Sequence, residues 1–191
     1  MAESEKHFHH GRSSKEILDS NRVLSTVGLK KGDTFLDAGC GDGYMSLTAS
    51  KIVGNEGKII AVDVWEESIN AFKEKIESNN IKNIDAEVAN ITQKIPVDDE
   101  SIDILYMGNV LHGFVENNEV ETVMKEIQRV IKKGGSFAVV EFKKEESTHG
   151  PPLHVRITPE DIEEIVKNYG FAVNKVEEVG TYHYATILTK N

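Results

Sequence analysis

The residues most able to do chemistry lie in Leu36-Asp37-Ala38-Gly39-Cys40-Gly41-Asp42-Gly43 and, about twenty residues on, in Asp63. Glycines at a turn lack Cβ and accept unusual φ, so the backbone there can approach a ligand closely. An acid ending the next strand can accept hydrogen bonds from ribose hydroxyls. A dinucleotide site wants G-x-G-x-x-G, and Tyr44 stands where its third glycine would be. Asp37 would repel a pyrophosphate, whereas a carboxylate suits a ligand carrying an ammonium and a sulfonium.

These residues need elements to hold them. Short apolar runs alternate with helical patterns, which predicts a parallel sheet covered by helices. The runs are Thr34 to Ala38, Lys58 to Val62, Ile84 to Val88, Ile102 to Tyr106, Ser136 to Val140, Phe171 to Glu177 and Tyr182 to Leu188. The last two are joined around Gly180 and read as an antiparallel hairpin. Helical spacing predicts a first helix over Ser14 to Val27. Further helices carry Met45, Ala49, Ile52 and Val53; Ile69, Phe72 and Ile76; and Val120 to Ile131, closed by Lys132-Lys133-Gly134-Gly135. Thr158-Pro159-Glu160-Asp161 has the chemistry of a helix start.

Asp37-Ala38-Gly39-Cys40-Gly41-Asp42-Gly43 resembles the first motif of class I S-adenosylmethionine-dependent methyltransferases. Ser101 to His112 resembles that family's fourth-strand motif, and Ile131 to Gly135 the motif before its fifth strand. The likeness covers roughly 29–142 and is nearest the small quinone-biosynthesis and arsenite-modifying enzymes. It implies an α/β, Rossmann-like, doubly wound seven-stranded sheet, mostly parallel with an antiparallel last strand. S-adenosylmethionine is then the cofactor. Gly39 and Gly41 would lie against its methionine part, Asp37 would reach its ammonium, and Asp63 would hold its ribose. Val64, Asn90, Ile91 and Met107 complete the implied cofactor set. Asn90 stands where the family usually has Asp, and Met107-Gly108 replaces a small polar pair.

The acceptor side is read from position. Ligands in open α/β sheets sit beyond the carboxyl ends of the strands. His112 follows the fourth strand, as a general base or as a loop histidine bonded to backbone. His154 and Arg156 lie in the segment after the fifth strand, and Tyr182 and His183 begin the last. Arg156 can hold an anionic acceptor or pair with Glu160 or Glu163. His112 and His183 are the catalytic candidates, and His154, Arg156 and Tyr182 the substrate ones. Cys40 reads as a small packing residue, and Trp65 as a partner for adenine or a packed aromatic. His7, His9 and His10 fit a terminal lid or a solvated tail, and no metal is expected.

Length and composition bound the rest. The 191 residues fit one domain: a lid and helix over 1–28, a cofactor core over 29–142 and a substrate side over 143–191. A net charge of -10 and scattered basic residues argue against a nucleic-acid partner. No apolar run approaches a membrane span, and the start has no secretory pattern, so a cytoplasmic location is expected. The expected activity is methyl transfer to a small molecule. A non-catalytic cofactor binder, an RNA or protein methyltransferase and a nicotinamide oxidoreductase are the rivals. The oligomeric state is not legible.

Overall fold

The structure, a computed structural model, describes residues 14–191. The histidines at 7, 9 and 10 lie outside the described residues. Along the chain come α1 (Ser20–Val27), β1 (Thr34–Ala38), α2 (Tyr44–Val53), β2 (Lys58–Asp63), α3 (Glu66–Ser78) and β3 (Ile84–Val88). Then follow β4 (Ile102–Gly108), α4 (Leu111–Glu116), α5 (Val120–Val130), β5 (Ile131–Phe142), α6 (Pro159–Val166), β6 (Phe171–Glu178) and β7 (His183–Lys190).

The seven strands form one sheet in the order β3-β2-β1-β4-β5-β7-β6. Neighbours from β3 to β5 pair parallel. β7 runs antiparallel to both β5 and β6. The expected mostly parallel sheet with an antiparallel last strand is therefore what forms. The central strands are buried on both faces, which is why they read as continuous apolar runs rather than alternating ones.

Helices cover both faces. Leu24, Ala49 and Phe72, from α1 to α3, pack on the side of the sheet that carries Phe35, Tyr106 and Val140. Leu111, Ile127 and Ile162, from α4 to α6, pack on the side that carries Leu36, Met107 and Val139. Among the described residues no helix is long and apolar enough to cross a membrane.

Two boundaries differ from the sequence reading. The helix expected over Ser14 to Val27 is broken, because the Asp19 carboxylate accepts from the N–H groups of Asn21 and Arg22 and so caps a new start at Ser20. The Lys132 to Gly135 stretch, expected to close a helix, belongs instead to β5. Ile131 pairs with Ile102, and Ser136 with Ile104, so the extra residues bulge outward between them. The pairing of Ile131 with Ile102 places this buried residue in the strand. The α6 start is as expected: Thr158 and Asp161 form a reciprocal capping box with Pro159 in the first turn.

Candidate active site

The tips of β1, β2, β4 and β5 and the start of β7 share one edge of the sheet. The glycine loop leaves β1 there. Gly39 and Cys40 both donate to the Val62 carbonyl, at 2.8 and 3.1 Å, which ties the loop across the tip of β2. Gly41 donates to Asp63 Oδ2 at 2.9 Å, and Trp65 donates to Asp63 Oδ1 at 3.0 Å. Asp63 thus links the glycine loop to the entry of α3. Each carboxylate oxygen has two acceptor sites, so one remains on each for a ligand hydroxyl.

The loop's openness matters at Gly41. Its φ is +51°, and a Cβ built there would meet nothing within 4 Å. The backbone therefore presents itself to open space beside Asp63. Val64, next along, is an exposed apolar side chain. A diol-bearing ligand with an apolar ring fits this surface, and the donor set suits the cofactor implied by the sequence.

Gly43 has a different reason. It has φ +78°, and a Cβ there would sit 2.2 Å from the fully buried Phe72 ring. Gly43→Ala is expected to lower stability by on the order of 2 kcal/mol, from strain and overpacking together. Urea unfolding of the ligand-free protein measures it. An unchanged midpoint would contradict this packing.

Asp37 is almost fully buried and accepts a hydrogen bond from the Ser46 hydroxyl at 2.6 Å. Burial pushes its carboxyl up to about 7. The charges of Asp63 and Asp42 add to that rise, while the Ser46 bond opposes it. A positive charge brought beside this carboxyl would favour its ionised form. Cys40 is also buried, and burial with the same acids pushes its thiol far up, so it stays neutral and packs.

At the tip of β5, Glu141 Oε2 lies 2.7 Å from His112 Nδ1, and Oε1 accepts from the His112 backbone N–H at 3.2 Å. Both side chains are only 2% exposed. Burial lowers the affinity of His112 for a proton, but the charge and hydrogen bond of Glu141 outweigh it, and the net shift is upward.

His183 is placed apart from this pair. It is opposite Phe142 in the β5–β7 register, whereas Glu141 is opposite Tyr184. Neighbouring residues on a strand point to opposite faces. His183 therefore shares the face of Ala185 and Ile187, and Glu141 the face of Tyr184 and Leu188. The two candidate bases do not converge from one face. His183 packs on Phe142 with ring centroids 4.0 Å apart, and burial, helped by the charges of Arg156 and Lys143, pushes it down to about 4.

Arg156 departs most from its expected place. It is 5% exposed, and it donates to the backbone carbonyls of Pro151, Lys143, Glu145 and His149. Its guanidinium also lies 5.3 Å over the Phe142 ring. It pairs with neither Glu160 nor Glu163, because the loop's own carbonyls claim its donors. Tyr182 is half-buried and stacks on His149 at 4.8 Å, while His154 is exposed.

The remaining cofactor candidates also spread out. Met107 and Ile91 are buried in the core on the α4–α6 side. Asn90 is exposed, and its carboxamide oxygen accepts from the Thr92 N–H and hydroxyl. Two residues of interest were missed. Glu141 had a signal, since an acid closes the apolar run Ala138 to Val140 just as Asp37 and Asp63 close theirs. Tyr106 faces Asp37 across the β1–β4 pair and is buried. It looked like an ordinary strand residue.

The sequence model of a methyltransferase domain matches residues 29–185. A probable cobalt-precorrin-6B C(15)-methyltransferase (decarboxylating) of Saccharolobus solfataricus is 31% identical over 121 residues, covering 61% of this chain and 56% of its own length. A demethylmenaquinone methyltransferase of Staphylococcus aureus is 31% identical over 121 residues, covering 63% of this chain and 47% of its own length. The matched stretch thus spans about half the length of these curated relatives. A crystal structure of a SAM dependent methyltransferase from Aquifex aeolicus is 32% identical, covers 95% of both chains and superposes with a TM-score of 0.85.

Proposed function

The chain belongs to the methyltransferase-domain family, as an enzyme of its S-adenosylmethionine-dependent class, and we propose that it binds this cofactor along the β1–β2 edge and methylates a small molecule. The observation that carries the reading is the bond from Gly41 to Asp63 beside an open glycine surface. Asp63 holds the ribose diol through its remaining acceptor sites. Asp37 receives the ammonium. Gly39 and Gly41 flank the methionine part, and Val64 with the Asn90–Ile91 turn borders the adenine. Met107, with its side chain in the core, contributes backbone only.

When bound, the cofactor supplies an activated methyl group whose departure leaves a neutral thioether. The protein's task is alignment, which can contribute several kcal/mol by fixing geometry. A small acceptor is favoured by the acidic chain and by the small-molecule substrates that both relatives' names give. Tyr182, stacked on His149 at the start of β7, and the exposed His154 are the substrate-side candidates for such a molecule.

Asp63→Ala should weaken S-adenosylhomocysteine at least about tenfold, because hydrogen bonds to a charged group are worth roughly 1.5–3 kcal/mol. Calorimetric titration of S-adenosylhomocysteine and NAD against both proteins is the test. Binding of NAD by the wild type, with none of S-adenosylhomocysteine, overturns the assignment.

A further inference from the structure

The β4 tip carries a polar group that neither the core nor the contacts proposed above use. Tyr106 is 3% exposed, and its ring stacks on the fully buried Phe35 with centroids 6.0 Å apart. Its hydroxyl makes no hydrogen bond among the described residues, yet it is not sealed from solvent as the unmatched atoms of Asn109 and His183 are. Gly108, two residues on and on the same face, shows where the ring points. A Cβ on Gly108 would lie 2.3 Å from the Tyr106 oxygen. The hydroxyl therefore stands over Gly108 at the carboxyl end of β4, the end of the sheet at which ligands bind. The small polar pair expected at 107–108 is absent, and the phenol reaches that place from one residue earlier.

Strand order decides which part of a ligand meets this hydroxyl. Asp37 pairs with Tyr106 on β4 and with Ala61 on β2. Asp63 lies two residues beyond Ala61, so alternation puts Asp37, Asp63 and Tyr106 on the α1–α3 face. Asp63 and Tyr106 thus flank Asp37 from opposite sides. A ligand that places a ribose at Asp63 and an ammonium at Asp37 runs from β2 toward β4, and the phenol stands at its ammonium end. An ammonium brings three N–H donors. One Asp37 oxygen already accepts from the Ser46 hydroxyl, and burial makes that carboxyl slow to give up its proton. A phenol oxygen offers further acceptor sites. Burial, with the charge of Asp37 as the next cause, raises Tyr106 well above the usual phenol range, so it stays neutral. It adds a contact without adding another negative charge to Asp37, Asp42 and Asp63.

We infer that the Tyr106 hydroxyl accepts a hydrogen bond from the cofactor's ammonium, so that the amino-acid end of the methyl donor is held between an acid on β1 and a phenol on β4. This rests on the methyl-donor reading above. Tyr106 is a binding residue: it takes no proton and forms no bond during methyl transfer. Burial and the Phe35 stack hold the ring in place before the ligand arrives, so little side-chain freedom is lost on binding. The site then selects for the amino group. A ligand that keeps the adenosine and the thioether but lacks that group gains nothing from Tyr106.

The test compares S-adenosylhomocysteine with its deaminated analogue, in which hydrogen replaces the α-amino group, by calorimetric titration or displacement. Tyr106→Phe keeps the ring and the Phe35 stack and removes only the oxygen. It should weaken S-adenosylhomocysteine about tenfold, the size expected for one hydrogen bond to a charged group. The same substitution should change the affinity of the analogue by less than about twofold, because the group that Tyr106 contacts is missing. In protein labelled at tyrosine Cζ, the NMR signal that Tyr106→Phe removes should shift with S-adenosylhomocysteine and stay near its free position with the analogue. An equal loss for both ligands overturns the inference and leaves Tyr106 a role in shape alone. An unchanged affinity for S-adenosylhomocysteine, an unmoved Tyr106 signal, or equal binding of both ligands by the wild type also overturns it. Failure of S-adenosylhomocysteine to bind the wild type would instead overturn the cofactor reading.

Discussion

Asp37→Asn should make the ligand-free protein more stable at pH 8 and its cofactor binding weaker. The folded carboxyl titrates at about 7 against an ordinary 3.8, chiefly because it is buried. Folding thus disfavours the ionised form. The stability carried by the neutral carboxyl is fully present below about 4. It is lost progressively as pH rises to about 7, where the folded group also ionises. Each pH unit of displacement corresponds to about 1.4 kcal/mol, so the ionised group costs on the order of 4 kcal/mol above that range. Asparagine cannot ionise and can still accept the Ser46 hydroxyl bond, although its amide must find a partner, so the realised gain is smaller. Melting of both proteins at pH 5 and pH 8 isolates the group, because every other titration cancels in the difference. The variant's advantage should be clearly larger at pH 8 than at pH 5, where only about a third of the ionisation cost is present. With Asp37 as the proposed partner of the cofactor's ammonium, affinity should fall by one to two decades. A variant that binds S-adenosylmethionine normally would remove Asp37 from the cofactor site.

This trade-off indicates why the glycine region was legible without a structure. An acid closing a buried strand, next to glycines and with a second acid one strand on, conflicts with simple core formation and so singles out a candidate site. Asp37 and Asp63 are nearly buried, and each is satisfied by a local donor. Strands β1, β2, β4 and the second half of β5 were legible because burial on both faces writes apolar runs into the chain, whereas β3 alternates and is fainter. The six-residue α4 was not, since a helix that short gives too few turns for periodicity to register. The face on which each side chain stands depends on strand register. His112 and His183 therefore looked like partners until the Phe142–His183 pairing put them on opposite faces. Glu141 closes its apolar run visibly, but its contact with His112 appears only when the α4 turn brings that ring back to β5.

Arg156→Ala tests the other reading that tertiary structure changed. As an anion-holding residue, its loss would weaken the acceptor and leave melting unaltered. As found, it joins four carbonyls spread over 143–151 and covers the Phe142 ring. Hydrogen bonds to a charged donor contribute roughly 1.5–3 kcal/mol each, but exposed carbonyls regain water when the donor is removed. A net loss on the order of 3 kcal/mol follows, which for a chain of this size lowers the melting midpoint by roughly 6–12 °C. The loop should become the first site of limited proteolysis, because no second strut of this kind spans it among the described residues. Arg156→Lys should recover little, since a single ammonium cannot reach four carbonyls that a planar fork spans. The variant also removes a positive charge that helps hold His183 down at about 4, so the His183 midpoint should rise while staying low, burial being the larger cause. If melting, proteolysis and the His183 midpoint all stay at wild-type values while acceptor binding falls, Arg156 is a ligand residue after all. Movement of the first three with cofactor affinity preserved identifies it as the clamp that sets the shape of the acceptor-side loop.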